Sequence, residues 1–411
     1  MLLSTSKKPR DVGSSQEVVG ASLQRVPKIL FCTYEIPQSV NAGSMQLYRT
    51  LQGYPPDRLM VLGMPPERDA KLLPCQYESL HLLTYRLACT RFRGWVTGIN
   101  SLNMLPEPGL LASERRTRAF KPDIVITVMD KLSYYKHAWA LAKRLEARLV
   151  TITMDDPQTF ERAHPRLEGA YSRFLRQMYS DATLSLGVSH EMCKYIEQTF
   201  GKPSTVFYFG PPEHIRPRAP TVSARLKAPP QLTLGYAGSM SLGYRDGILA
   251  ILPSLQAAGA RMIVYTRDQH QLIDHPQIIN RGFLPPEDLW PAIQDECDAV
   301  ILPYSFKDDI ARIYRTHFPT KLSEHCWTGM PMIFSGPEYG TAIRWAKQHP
   351  DAALTSTSPN GESLVPLLQR LASDSQLRVS LAEEGANVAT KEFDAVHIRQ
   401  RFAELMIAAA A

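Results

Sequence analysis

Six prolines crowd into residues 211–230, at 211, 212, 217, 220, 229 and 230, and the same pattern repeats on either side of them. Before them, apolar runs at 28–33, 58–63, 122–128, 148–153, 182–186 and 204–208 alternate with helical periods at 45–51, 133–146, 160–179 and 189–199. After them, runs at 231–236, 261–265, 278–283, 298–302 and 330–334 alternate with helical periods at 246–258, 286–294 and 320–328. Continuous apolar runs suit strands buried on both faces of a parallel sheet, and strands alternating with helices mean doubly wound α/β domains. A proline-dense stretch is a stiff linker. The expected plan is a flexible tail over 1–26, one domain over 27–210, the linker over 211–230 and a second domain over 231–390. A C-terminal helix over 391–411, free to cross back to the first domain, completes it. Such paired domains bind ligand in the cleft beside the carboxyl ends of their strands.

The chain has 411 residues, room for two or three domains at about 150 residues each. Hydrophobic residues at 44% and charged residues at 21% are ordinary globular values and argue against a largely disordered chain. Lys plus Arg number 46 against 40 Asp plus Glu, a formal charge of +6. That suits an anionic ligand or an acidic membrane surface and is too weak to imply nucleic acid. No run approaches the roughly 18 apolar residues of a spanning helix, and the N-terminal stretch lacks the apolar centre of a signal peptide. The six cysteines include no CxxC pair and sit mostly in apolar segments, as expected of reduced thiols in the cytosol.

Several chemistries have no motif here. There is no GxxxxGK[ST] loop, no GxGxxG after a strand, no HExxH or zinc-spaced Cys/His set, and no GxSxG elbow. The acidic pairs Asp155-Asp156 and Asp308-Asp309 are adjacent rather than spaced as DxD, so neither a metal nor a resident cofactor is expected.

The most informative stretch is Phe318-Pro-Thr-Lys-Leu-Ser-Glu324. Pro319 and Thr320 open a helix whose free N–H groups and positive dipole end lie near Thr320, Lys321 and Leu322, with the Lys321 charge added there. Glu324 stands one turn on, where a carboxylate accepts two hydrogen bonds from a vicinal diol. Phosphates at the helix end and a ribose at the carboxylate fit a nucleoside diphosphate; a capped helix with a solvated lysine is the plainer reading.

With its surroundings the stretch resembles the GT-B glycosyltransferases, particularly the large retaining family GT4 (glycosyl transferases group 1). The resemblance rests on Cys297-Asp-Ala-Val-Ile-Leu-Pro303, on Phe318–Glu324 followed by Gly329-Met-Pro331, and on Tyr236-Ala-Gly-Ser239 and Asn280-Arg-Gly-Phe-Leu284. In the first half it rests on Ser180-Asp-Ala-Thr183 and Gly187-Val-Ser189, and it spans most of 28–400. It implies two Rossmann-like domains facing across a cleft. Glu324 would hold the ribose, and Thr320, Lys321 and Leu322 the diphosphate. Gly238, Ser239 and Arg245 would lie against donor phosphates, and Phe283 and Leu284 would flank the base. The chain departs from the family at Thr316, where a second Glu is usual, and at Ser239, where Arg is common. Arg267, Arg281, Arg312 and Arg315 are cations available to compensate.

In the first half, Gly43-Ser44 opens a helix after a strand, either as an anion-binding turn facing the donor or as a structural cap. Asp155 and Asp156 follow a strand end on the cleft side, to orient an acceptor hydroxyl, to take its proton, or merely to cap a turn. His164 and His190 read as structural. Residues 80–120 interleave Phe92 and Trp95 with Arg86, Arg91, Arg93, Arg115, Arg116 and Arg118. That pattern fits docking on an anionic bilayer with a lipid-linked acceptor, a basic acceptor groove, or a core-facing helix with solvated arginines.

The resemblance therefore implies a cytoplasmic, metal-independent glycosyltransferase, free to sit peripherally on a membrane, that moves a sugar from a nucleoside-diphosphate sugar to a glycan, lipid-linked or small-molecule hydroxyl. Asp155, Asp156, Arg245 and Lys321 are its expected catalytic residues. Two rivals remain open at this stage: a nucleotide-sugar epimerase on the same fold, and a non-catalytic nucleotide- or partner-binding relative, which Thr316 keeps in view.

Overall fold

The computed structural model describes residues 26–40, 42–102, 109–211 and 231–411. The tail as far as residue 25, Asn41 and nearly all of the proline-rich linker lie outside the described residues.

Each half builds a parallel sheet. The first comprises β1 (Ile29–Thr33), β2 (Leu59–Gly63), β3 (Gln76–Ser79), β4 (Ile124–Val128), β5 (Arg148–Thr153), β6 (Leu184–Gly187) and β7 (Thr205–Val206). Their order is β3-β2-β1-β4-β5-β6-β7. The second comprises β8 (Thr233–Ala237), β9 (Arg261–Tyr265), β10 (Ile278–Asn280), β11 (Ala299–Pro303), β12 (Met332–Ser335) and β13 (Ala353–Ser356), ordered β10-β9-β8-β11-β12-β13. Every residue of β1, β2, β4, β8 and β11 is buried, which is why these segments read as unbroken apolar runs. Strand order reverses between β1 and β4 and again between β8 and β11, the points where a crevice opens at the strands' carboxyl ends.

Helices cover both sheets. In the first half they are α1 (Ala42–Leu51), α2 (Leu83–Ala88), α3 (Arg93–Ser101), α4 (Leu110–Arg118), α5 (Leu132–Arg144), α6 (Glu168–Asp181) and α7 (His190–Phe200). In the second they are α8 (Tyr244–Ala257), α9 (Pro286–Glu296), α10 (Asp308–Tyr314), α11 (Thr320–Trp327), α12 (Thr341–Gln348), α13 (Leu364–Ser373) and α14 (Ser375–Glu392). Ser189 caps α7 through the Met192 amide, and Gly201, at φ 75°, ends it in the left-handed conformation that glycine adopts without cost.

The last helix, α15 (Ala395–Ala410), leaves the second half and buries Ile398, Phe402, Met406 and Ala409 in the core of the first. The Phe402 ring meets Tyr54 and Phe207 there. The chain thus passes between domains twice, once through the proline-rich stretch and once at Phe393–Asp394.

Several details differ from the sequence expectation: the helix expected over 160–179 begins at Glu168, and the strand expected over 204–208 is only Thr205–Val206. The strand expected over 278–283 stops at Asn280. β3 and β13 were not expected. β3 is a four-residue edge strand whose residues are all exposed or half-buried, and β13 is a four-residue edge strand of the other sheet, so neither carries the apolar run of a buried strand.

Candidate active site in the interdomain cleft

A cavity of about 490 Å³ lies between the two halves. From the first half it is lined by Ser39, Val40, Met45, Gln46 and Arg49. From the second it takes the segments that follow β8 and β9, residues 283 and 284, and the start of α11. This is the size range of small-ligand sites.

α11 supplies the chemistry. Its first turn leaves the Thr320 and Lys321 amides without hydrogen-bond partners among the described residues, while the Leu322 amide bonds the Pro319 carbonyl at 3.0 Å. Gly238, at φ 136°, lets the chain turn beneath the Lys321 side chain, where a Cβ would collide with Cε. The Lys321 ammonium sits 3.8 Å from the Tyr244 ring centre and 5.3 Å from that of Tyr236, held by ring electrons rather than by an acid. Burial pushes its pKa down to about 8, against the opposing pull of Glu324 and Asp268. An anion arriving beside it meets a poorly hydrated cation that, among the described residues, has no carboxylate within ion-pair distance.

Glu324, one turn further, faces the same cavity, and Arg49 of α1 reaches across the cleft to its Oε1 at 2.8 Å. The loop after β8 is tied down by Asp268, which accepts from the Ser239 hydroxyl at 2.9 Å and the Met240 amide at 2.7 Å. At the mouth, the Arg267 guanidinium lies 3.7 Å from the ring centre of half-exposed Phe283. That pair offers a flat surface with a positive side.

A second cavity, about 310 Å³, opens in the first half at the reversal between β1 and β4. It is lined by Tyr34, Glu35, Asp130, Lys131 and Asp155 with Val128, Met129 and Met154. Its lining sets three carboxylates against one lysine. Burial and the neighbouring Glu35 push the Asp130 carboxyl up to about 7, although the Lys131 and Glu35 amides donate to it. Burial raises Glu35 as well, with Asp155 adding to the effect. Between the domains the two sides are stitched together. His317 Nδ1 meets Asp155 Oδ1 at 3.0 Å, Arg312 Nε donates to Asp156 Oδ2 at 2.6 Å, and the Ser189 hydroxyl donates to the Thr316 carbonyl at 2.8 Å.

Of the residues singled out in the sequence, Gly238, Ser239, Arg267, Phe283, Leu284, Thr320, Lys321 and Glu324 line the interdomain cavity together. Others do not reach it. Leu322 is wholly buried and its amide is spent on Pro319, so it presents nothing to a ligand. Arg281 forms an outward ion pair with Glu296 at 2.6 Å. Arg245 Nε donates to the Gln271 carbonyl at 3.2 Å and braces a loop. Asp156 caps the turn at Pro157 by accepting from the Gln158 amide and the Thr159 hydroxyl. It also accepts from Tyr195 and Arg312, so both of its oxygens are engaged within the protein. Gly43 and Ser44 open α1 as expected, and the Glu35 carboxylate lies against Gly43, in the space a Cβ there would need.

Sequence reading missed Arg49, Glu35, Asp130 and His317. Met45 and Arg49 are one helical turn apart, a spacing that puts both on one face; that was the available signal. Glu35 and Asp130 had none, because only the adjacency of β1 and β4 brings them together.

No family model matches the chain, and no curated protein matches it by sequence. Solved structures do. The Anabaena protein HepE, in complex with UDP and glucose, superimposes with a TM-score of 0.63 at 16% identity, over 92% of this chain and 99% of that one. Sucrose-phosphate synthase from Thermosynechococcus elongatus gives 0.65 at 12% identity, over 93% and 98%. WaaG, a glycosyltransferase of lipopolysaccharide biosynthesis, gives 0.58 at 13% identity, over 92% and 99%. The two parallel-sheet halves, their strand reversals and the cleft between them together give this chain the GT-B fold.

Proposed function

We propose that this protein transfers a glycosyl group from a nucleoside-diphosphate sugar to a hydroxyl acceptor, without a metal ion and with retention at the anomeric carbon. One observation carries the reading: free amides and a desolvated lysine at the start of α11 share a cavity with Glu324 one turn on. A diphosphate and a ribose are spaced that way. That HepE, a structure of the same fold, was solved with UDP and glucose supports a uridine nucleotide as the first donor to try.

In the proposed reaction the bond from the anomeric carbon to the β-phosphate oxygen breaks as the acceptor oxygen bonds that carbon, and the acceptor proton passes to the departing diphosphate. The negative charge that accumulates on the leaving group faces Lys321 and the Thr320 and Lys321 amides, which are already in place before the charge develops. Glu324 holds the ribose through Oε2 while Arg49 keeps Oε1. Arg267 and Phe283 flank the base. The acceptor enters from the cavity of Glu35, Asp130 and Asp155, whose carboxylates suit the hydroxyls of a glycan.

Asp130 favours a second stereochemical reading. A carboxyl held near neutrality is poised to take the acceptor proton itself, as direct inversion requires. Following the anomer formed from a UDP-sugar by NMR separates the two. A donor that is isomerised without acceptor would point to an epimerase. Nucleotide binding with no turnover on any acceptor would overturn the proposal.

A further inference from the structure

Three consecutive helices of the first half turn large apolar side chains outward. α3 turns Thr97, Gly98 and Ser101 inward and Trp95 and Ile99 outward. Gly98 is the only residue that fits there, because a Cβ would strike Leu167. α4 buries Ser113, Glu114 and Thr117 and leaves Leu111 outside. α2 buries none of its residues, Leu83 and Leu87 included. Leu83, Phe92, Ile99 and Leu111 each keep half or more of their surface exposed. Among the described residues, seven of the thirteen large exposed hydrophobic side chains fall between 83 and 111. A soluble protein scatters such residues singly; a concentration of them marks a surface that meets something apolar.

The charge around them is mostly positive, with Glu78 paired to Arg116 at 3.6 Å. Arg86, Arg91, Arg93, Arg115, Arg116 and Arg118 are exposed, and Arg91 lies 4.9 Å from the Phe92 ring centre. The segment packed against α3 adds exposed Arg162 and Arg166, with Glu168 beside them. On α2, α3 and α4 the one carboxylate is Glu114, which is buried and held between Arg118 and Arg144. A second copy of this chain meeting the same face about a two-fold axis would set arginine against arginine. An anionic bilayer answers both features at once, with apolar side chains at the acyl boundary and arginines among the headgroups.

We propose that α2, α3 and α4 are a docking surface for an anionic lipid bilayer. The placement also suits the acceptor cavity: Tyr34, which lines it, packs against Tyr85 of α2 with ring centres 4.9 Å apart. Docking would present that cavity to molecules carried in the membrane.

The test is sedimentation of the full chain with vesicles of phosphatidylcholine alone and of phosphatidylcholine with phosphatidylglycerol. Binding to the second alone, weakened by salt, is expected. The combined variant Arg86→Gln/Arg91→Gln/Arg115→Gln should lose about fivefold in partitioning per arginine. Phe92→Ser/Ile99→Ser/Leu111→Ser should abolish binding while keeping the wild-type circular dichroism spectrum, since these side chains hold no part of the core. Equal binding to both vesicles, or retained binding in both variants, overturns the proposal. So does a dimer in solution that the serine variant dissolves, which would identify a second copy as the occupant. No readout depends on turnover, so this surface and the glycosyl-transfer reading stand or fall separately.

Discussion

The two halves share a topology and carry opposite chemistry. At the strand reversal of the second half, the cavity holds a lysine seated on aromatic rings, free helix amides and a guanidinium over Phe283. At the equivalent reversal of the first half, three carboxylates line the cavity with Tyr34 and a single lysine, Lys131. Parallel sheets deliver a crevice wherever strand order reverses, but the fold leaves its charge open. A site prepared for a diphosphate needs fixed positive charge. A site for hydroxyls needs acceptors, and its carboxylates can crowd until one of them holds a proton near neutrality.

Removing the lysine should separate the halves most sharply. Lys321→Ala is expected to lower kcat by about 10²–10³-fold, the loss typical of one preorganised donor to a developing anion. Thermal melting without nucleotide should be unchanged or slightly raised, because a desolvated charge has gone. Retained turnover would place the leaving group elsewhere. Next is Glu324→Gln, which keeps an acceptor for Arg49 but loses the charge; UDP affinity measured by calorimetry should fall about tenfold with kcat little altered.

The pH profile offers a third comparison. Asp130 gains a proton as pH falls through about 7, and Lys321 loses one as pH rises through about 8. Activity that uses the carboxylate of one and the cation of the other is greatest between those limbs. Asp130→Asn should remove the acid limb alone, and Lys321→Arg the basic limb alone. If both variants keep both limbs, neither group is titrating in the profile. The smallest effect belongs to Asp156. Losing its cap and its bond to Arg312 in Asp156→Ala should cost about 1–2 kcal/mol of stability in denaturant melts and leave kcat within a fewfold of wild type.

What could be read from the sequence follows the range of the interaction. The spacing of Lys321 and Glu324 is local, three positions apart on one helix, and a helix start is announced by Pro319 and Thr320. The strands legible in advance were those buried on both faces, such as Ile124–Val128, because burial itself writes the apolar run. β3, with the sequence Gln-Tyr-Glu-Ser, is a strand only because β2 lies beside it. Arg49 meets Glu324 across 275 positions, and Asp130 meets Glu35 across 95, distances over which no pattern in the sequence points from one to the other. Asp156 misled for a related reason: a carboxylate beside a proline looks alike whether it is free or fully bonded, and only the arrival of Tyr195 and Arg312 shows which.

The return of α15 to the first half bears on how the protein comes into being. Phe402 and Met406 fill a core whose walls from Val26 to Phe209 leave the ribosome at least 193 residues earlier. Each is worth about 1.5–3 kcal/mol of buried apolar surface, a large share of what keeps a domain folded. The domain synthesised first is therefore completed only after the second has been made. Until α15 emerges, that core lacks the side chains that cover it, at the stage of a polypeptide's life when exposed hydrophobic surface is most hazardous.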